Sequence, residues 1–265
     1  MSRLFRLMAV CCLVFIPIAA SRADDPVPPW LNAQLAAAVW QPMAPGIERL
    51  AAPKVLEGAF AAYRLAQGKV TARVLGSLKP DGSTAEEVAK ANGALLAVNG
   101  GFFFVKDNGV LHPTGLLIVG GAKQTGLKKC RACTGMLFSD TKGLHIVRPA
   151  AFAYRKDIGS ALQVGPMLVE AGRPLPFNAD GPDAPRTAVC LSGEAIIVVV
   201  AIRPMTLHDL ATLMLAKPEE GGFACNDALN LDGGSSSQLA AELPGNMERL
   251  GFSARVQNFI AFFPR

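Results

Sequence analysis

The densest chemistry in the chain lies in Asn230-Leu231-Asp232-Gly233-Gly234-Ser235-Ser236-Ser237, where a carboxylate is followed by two glycines and three hydroxyls. A second glycine pair stands in Asn99-Gly100-Gly101-Phe102-Phe103, and a third corner at Gly165-Pro166. Glycine lets backbone come close to a ligand, and successive N–H groups in such turns form concavities that bind anions. Arg186, in Pro185-Arg186-Thr187, adds a planar guanidinium suited to two-point contact with a phosphate. Asp232 offers a base or a nucleophile. His112, soon after the Asn-Gly-Gly turn, is placed for a pocket rim. Donors for an anion beside one carboxylate suit the cleavage of a negatively charged linkage. Taken singly, Asn-Gly-Gly is also an ordinary hairpin turn, and the Asp232 stretch a turn with solvated hydroxyls.

Other chemistries fail on spacing. The chain has no G-x-x-x-x-G-K-[ST] loop and no G-x-S-x-G elbow. Ser235 with His208 and an aspartate would imitate a serine triad only if the fold joined them; His208 reads as a helix-surface residue. His145 falls inside a hairpin strand and reads as structural. A metal beside Asp232 is conceivable, but the sequence shows no dedicated set of ligands, and no cofactor is expected.

The elements that must position these residues are mostly strands. Residues 58–66 and 69–77 flank Gln67-Gly68 as a hairpin, and Ser83 or Thr84 caps a helix ending before Gly93. Residues 94–104 read as an apolar strand running into the Asn-Gly-Gly turn, 161–172 as strand, and 186–191 with 194–202 as two strands joined at Ser192-Gly193. Thr206 caps an amphipathic helix. Residues 227–234 form a buried strand ending in a glycine turn, and 256–264 close the chain as a strand. This pattern predicts a single α+β (mixed α/β) domain, a large and mostly antiparallel sheet system with a few packed helices.

Hydrophobic residues make up 51% of the 265 positions and charged residues 18%, enough for a sizeable core. The formal charge of +5 owes three units to Arg3, Arg6 and Arg22 in an acid-free leader; without them 23 basic residues face 21 acidic ones. That balance gives no reason to expect nucleic acid as a partner. Residues 1–23 read as a secretory signal: Arg3 and Arg6, an uncharged apolar run from Leu7 to Ala20, and Ser21-Arg22-Ala23 before a cleavage site at Asp24. Cys11 and Cys12 fit the signal core. No later apolar run reaches the ~20 residues a membrane-crossing helix needs. The reading is of a periplasmic or secreted protein. Residues 24–54 form a Pro- and Ala-rich arm with a short helix running to about Trp40, pinned by Trp30 and Trp40, and 55–265 are the domain.

Four cysteines then remain in an oxidising compartment. Of three pairings, Cys130–Cys133 with Cys190–Cys225 is the expected one, because the first pair needs little rearrangement of the chain. A redox motif and a zinc site stand as alternatives for Cys-Arg-Ala-Cys; the following Thr-Gly-Met-Leu-Phe-Ser reads as a strand, which disfavours the redox motif.

The stretches "AVNGGFF", "PTGLLIVGG", "VGPMLVEAG", "RTAV", "MTLHDLATLML" and "DALNLDGGSSS" stand in the order and spacing of the phosphodiester glycosidase family, which this chain resembles over about residues 55–265. That family includes the lysosomal enzyme that uncovers mannose 6-phosphate by removing N-acetylglucosamine from a phosphodiester. The family pattern maps onto Asn99, Gly100, Gly101, Gly165, Arg186, Asp232, Gly233, Gly234, Ser235 and Ser236. Ser235 stands where members often carry a third glycine, and Val164 where a small polar residue is common. The resemblance implies a sugar phosphodiester or an anionic glycan as partner. Arg186 with the amides near Gly100, Gly101, Gly233 and Gly234 would then hold the phosphodiester, with Phe102 and His112 also lining the pocket. Asp232 would act at the anomeric carbon and Asn99 would orient substrate or water. For a second carboxylate, customary in glycoside hydrolysis, Asp227, Asp209 and Glu194 are the candidates. The alternative is a non-catalytic envelope protein binding anionic glycans in the same pocket.

Overall fold

The computed structural model describes residues 34–51 and 54–265. The leader, its expected cleavage site, Cys11, Cys12 and Trp30 lie outside them.

Strand Ala195–Met205 sets the layering, because six successive residues of it, Ile196 to Ala201, are buried apolar side chains. Side chains alternate across a strand, so Ile196, Val198 and Val200 enter one core while Ile197, Val199 and Ala201 enter another. The strand sits inside an eight-stranded sheet, between Phe60–Ala66 and Ala184–Ser192. Ile47–Ala51 and Val39–Ala44 extend that sheet on one side; Asp227–Asn230, Met167–Glu170 and Arg173–Pro174 extend it on the other. One five-stranded sheet runs Gly143–Val147, Gly135–Asp140, Ser160–Val164, Leu117–Val119, Ala122–Thr125. The other runs Asn246–Gly251, Gln238–Leu243, Leu96–Asn99, Asn258–Pro264, Val70–Gly76. The strand pairings are antiparallel.

All three sheets feed one central core. Tyr63, Leu65 and Leu229 come from the first, Leu117, Leu137 and Leu162 from the second, and Val74, Val98 and Phe262 from the third. Each such side chain contributes about 1.5–3 kcal/mol when removed from water, so this shared core is what fixes the sheets against one another. Helix α1 (Ala85–Asn92) covers the outer face of the third sheet through Ala85, Val88 and Ala89. Helix α2 (Leu207–Leu215) covers the outer face of the first through Leu210, Leu213 and Met214. Thr84 caps α1 and Thr206 caps α2, each in a reciprocal capping box, and Gly93 ends α1 at φ 66°. Ser83 is buried and accepts a hydrogen bond from the Leu78 N–H. The result is an α+β architecture dominated by strands. Among the described residues no helix is long and apolar enough to cross a membrane.

Three sequence expectations change. Phe60–Ala66 and Val70–Gly76 are not a hairpin: the first pairs with Ile47–Ala51 and Ala195–Met205, the second with Asn258–Pro264. Both edges of the first strand are occupied, so the turn at Gln67-Gly68 hands the chain from one sheet to another. Residues 161–172 are likewise not one strand, for Ser160–Val164 and Met167–Glu170 lie in different sheets on either side of the Gly165–Pro166 corner. Trp40 belongs to strand Val39–Ala44 rather than to a helix. It packs against Phe223, with ring centroids 6.1 Å apart, and under the Arg64 guanidinium at 4.7 Å, so this part of the arm is tied to the body.

Both expected disulfides are formed. Cys190, in a central strand, is bonded to Cys225 across 35 residues, whereas Cys130–Cys133 spans 3. In the chain-entropy account a bridge stabilises by restricting the unfolded chain, by about 3–4 kcal/mol for a loop of the longer kind and clearly less for the short one. Cys190→Ala/Cys225→Ala should lower the unfolding free energy in a urea titration by that amount. Cys130→Ala/Cys133→Ala should cost much less; an equal loss in both would contradict this ranking.

Candidate functional site

The three glycine corners are places where the chain leaves a sheet, and the structure joins them. The Asp232 N–H donates to the Gly100 carbonyl at 2.9 Å, and the Leu231 N–H to the Thr187 carbonyl at 2.8 Å. Asn99 Nδ2 donates to the Asp232 carbonyl at 2.6 Å. The Asn230 N–H donates to the Pro166 carbonyl at 3.0 Å, and Asn230 Nδ2 to the Gly165 carbonyl at 3.0 Å. Residues 230–232 are thus clamped from three directions just before the turn that carries the candidate donors.

Two buried amides organise this clamp. Asn99 is fully buried, and its Oδ1 accepts from Thr187 Oγ1 at 2.8 Å and from the Gln238 N–H at 3.1 Å. Both ends of its side-chain amide are engaged by protein groups, and it holds the Asp232 backbone from beneath. Asn258, also fully buried, takes the Gly100 N–H on its carbonyl at 2.8 Å and the Gly101 N–H on its Oδ1 at 2.6 Å. A Cβ on Gly100 would run into Asn258 Oδ1. These glycines serve packing, and their N–H groups, expected to face an anion, are already taken. Gly165 is buried with its carbonyl on Asn230. Phe102 is half-buried against the central core.

The Asp232 turn differs. The carboxyl accepts from the Gly233 N–H at 3.0 Å and from the Ser236 hydroxyl, and burial holds its pKa above the ordinary carboxylate range against both bonds. Residues Gly234–Ser236 form one 3-10 turn. The first N–H groups of a helical turn have no acceptor within it, and those of Gly234 and Ser235 make no hydrogen bond to the described residues. Ser235 is exposed. A Cβ on Gly233 would sit 2.8 Å from the Pro185 carbonyl and 4.0 Å from Arg186 Nη1. Glycine is what lets this backbone, one residue after Asp232, lie against the strand that carries Arg186.

Arg186 is itself anchored. Its Nε donates to the Met205 carbonyl at 3.0 Å and Nη2 to the Pro182 carbonyl at 2.8 Å, while Nη1 makes no hydrogen bond among the described residues. Burial lowers its pKa and the nearby Asp183 opposes that shift. The guanidinium keeps its charge, with one edge fixed to backbone and the other turned toward the glycine turn.

Other candidates have other tasks. His112 lies in the ribbon of Phe103–Val105 and Leu111–Pro113, stacked on Phe104 with centroids 5.8 Å apart. No hydrogen bond joins Ser235 to His208 among the described residues, and the Ser236 hydroxyl goes to Asp232. His145 bonds Asp140 at 2.8 Å. Of the proposed second carboxylates, Asp209 caps α2, Asp227 holds the Ala171 N–H at 3.1 Å, and Glu194 is exposed in a hairpin turn. No three His, Cys, Asp or Glu side chains among the described residues are grouped to hold a metal. Sequence reading missed Asn258, Thr187, Gln238 and Asp183. The signal for the first three was a polar residue set inside an apolar strand, which demands an internal partner.

Asn99→Ala strips partners from the Asp232 carbonyl, the Thr187 hydroxyl and the Gln238 N–H, each costing about 1–3 kcal/mol when left buried and unsatisfied. Urea unfolding should show a loss of several kcal/mol, and a clearly smaller one for Thr187→Val. A neutral Asn99→Ala would remove the clamp from the account.

With this geometry in hand, comparison with known proteins gives consistent results. The family model described as phosphodiester glycosidase matches residues 92–263. Among solved structures, the catalytic domain of zebrafish N-acetylglucosamine-1-phosphodiester alpha-N-acetylglucosaminidase, auto-inhibited by its pro-peptide, is similar at 15% identity and a TM-score of 0.55. The match covers 86% of this chain and 82% of that one. A hypothetical protein from Synechocystis is similar at 15% identity and a TM-score of 0.53, over 86% of this chain and 61% of that chain's length. A Burkholderia pseudomallei protein is similar at 12% identity and a TM-score of 0.51, over 77% of this chain and 74% of that one. These structures share the fold. No curated protein matches the chain. The family model spans more than half of the residues, and the chain belongs to the phosphodiester glycosidase family.

Proposed function

We propose that the protein is an exported hydrolase that cleaves a sugar-1-phosphodiester of envelope or extracellular glycans at the bond between the anomeric carbon and the phosphate oxygen. The observation that carries this reading is the approach of Arg186 Nη1 to Gly233, 4.0 Å from where its Cβ would stand, in the turn that directly follows the buried carboxyl of Asp232. Arg186 Nη1 and the unoccupied N–H groups of Gly234 and Ser235 would bind the phosphodiester oxygens. Donors aimed at the charge that grows on a leaving group are often the largest catalytic contribution.

In the reaction, water adds its oxygen to the anomeric carbon and gives its proton to Asp232; alternatively, Asp232 attacks that carbon first. The carbon–oxygen electron pair leaves with the phosphate, releasing a phosphate monoester. With its charge neutralised, that leaving group needs little help from an acid, so one carboxylate suffices. The apolar, basic leader and two disulfides support export. A second reading is favoured by the structural employment of Asp209 and Asp227: a non-catalytic protein that binds anionic glycans through the same donors.

Arg186→Ala should weaken transition-state binding by about 2–4 kcal/mol for a sugar-1-phosphodiester. The loss should be much smaller for a p-nitrophenyl sugar without phosphate. Equal losses in kcat/KM on both would contradict the phosphate role. Asp232→Asn should abolish turnover while keeping substrate binding; binding by the wild type with no turnover would favour the second reading.

The raised Asp232 pKa adds a pH signature. Acting ionised, Asp232 should place the acid limb of kcat/KM above the usual carboxylate range. Its folded pKa exceeds the unfolded one, so its contribution to stability is complete below the unfolded pKa and is lost as pH rises through the folded pKa. Asp232→Asn should therefore gain thermal stability relative to wild type across that window. A difference in Tm that stays constant with pH would refute the buried-carboxyl assignment.

A further inference from the structure

We infer that loop 128–133 forms a second anion site, which binds further phosphate groups of a polymeric phosphodiester glycan. The choice of ligand rests on the function proposed above; the site itself does not. Lys128, Lys129 and Arg131 line a cleft of about 420 Å³ together with the Cys130–Cys133 bridge, Pro149 and Gln163. All three cations are exposed. None forms an ion pair with a carboxylate among the described residues, whereas Arg148, next to Pro149 of the cleft lining, is held by both oxygens of Glu170 at 2.9 and 2.8 Å.

Three like charges within four residues repel one another, and a free loop would splay them. This loop is held closed. The disulfide ties Cys130 to Cys133, with Cα atoms 5.2 Å apart. Gln163, 3% exposed, takes the Lys128 N–H on Oε1 at 2.9 Å and donates Nε2 to the Lys128 carbonyl at 2.8 Å and the Cys133 carbonyl at 3.3 Å. The backbone is anchored while the charges stay unpaired around a cleft, so an incoming polyanion would relieve their mutual repulsion. Preorganisation of this kind lowers the ordering cost of binding.

The placement also fits a chain-like ligand. Gln163 is two residues before Gly165, whose carbonyl holds Asn230 Nδ2, and Asn230 is two residues before Asp232. The basic cleft is thus one sheet corner away from the candidate site. A monomeric sugar phosphodiester would occupy the Asp232 turn alone, while a polymer carrying repeated phosphates would also engage loop 128–133.

The test uses the full exported chain and poly(glycerol phosphate) as the polymeric probe, with a monomeric sugar-1-phosphodiester as control. Lys128→Ala/Lys129→Ala/Arg131→Ala should weaken polymer binding by about tenfold or more at low salt and flatten its salt dependence. Its kcat/KM on the monomer should stay at the wild-type value. The charge-keeping Lys128→Arg/Lys129→Arg/Arg131→Lys variant should retain polymer binding, as should Asp232→Asn. Unchanged polymer binding in the alanine variant overturns the proposal, and so does a parallel loss on monomer and polymer. If the wild type turns over no sugar-1-phosphodiester yet loses polymer binding in the alanine variant, the proposed activity fails and the second anion site stands.

Discussion

The hydrogen bond from the Asp232 N–H to the Gly100 carbonyl is the contact on which the rest depends. It ties the end of a strand in the eight-stranded sheet to the end of a strand in a five-stranded one. Its neighbour, the bond from Asn99 Nδ2 to the Asp232 carbonyl, doubles the tie. The pair of bonds from Asn230 to Gly165 and Pro166 adds the third sheet. A carboxylate on a free turn would sample many directions. Here the backbone before it is fixed by three sheets that share one core, so its position follows from the packing of the whole domain.

The glycine motifs divide by what they do. Gly100 and Gly101 lie against Asn258: the Gly101 N–H donates to its side-chain Oδ1, the Gly100 N–H to its backbone carbonyl, and a Cβ on Gly100 would collide with that Oδ1. An unsatisfied Asn258 inside the sheet would cost about as much as a lost core side chain, so the glycines are needed whether or not a ligand binds. Gly233 allows backbone to lie against Pro185 and Arg186, and Gly234 with Ser235 opens a turn whose first N–H groups make no hydrogen bond to the described residues. This corner has donors left for an anion. The single guanidinium beside it has two of its nitrogens fixed to backbone carbonyls, so it presents charge without a flexible stem to order.

Much of this was legible in the residues. The caps at Thr84 and Thr206, the strand run from Ile196 to Ala201, both disulfides, and the prominence of Asp232, Arg186 and the glycine corners followed from local chemistry. What was not legible was which sheet each strand joins. Gln67-Gly68 looks like a hairpin turn because both flanking runs are apolar and short. The pairing is decided instead by Ile47–Ala51 and Ala195–Met205, which fill both edges of Phe60–Ala66. The same non-local cause explains the amides of Gly100 and Gly101: their partner, Asn258, comes from the far end of the chain. For Asn99 the resemblance implied a role in orienting substrate or water. Its burial depends on Thr187 and Gln238, which only the folded sheets bring near.

The central claim is that the clamped carboxylate works on carbon while the arginine works on phosphate. Hydrolysis of a sugar-1-phosphodiester in ¹⁸O-water, followed by ³¹P NMR of the released monoester, separates the two bonds. The account predicts turnover with no isotope shift in the phosphate signal, because the solvent oxygen ends on the sugar. An ¹⁸O-shifted phosphate would mean attack at phosphorus and would contradict it, as would the absence of any turnover.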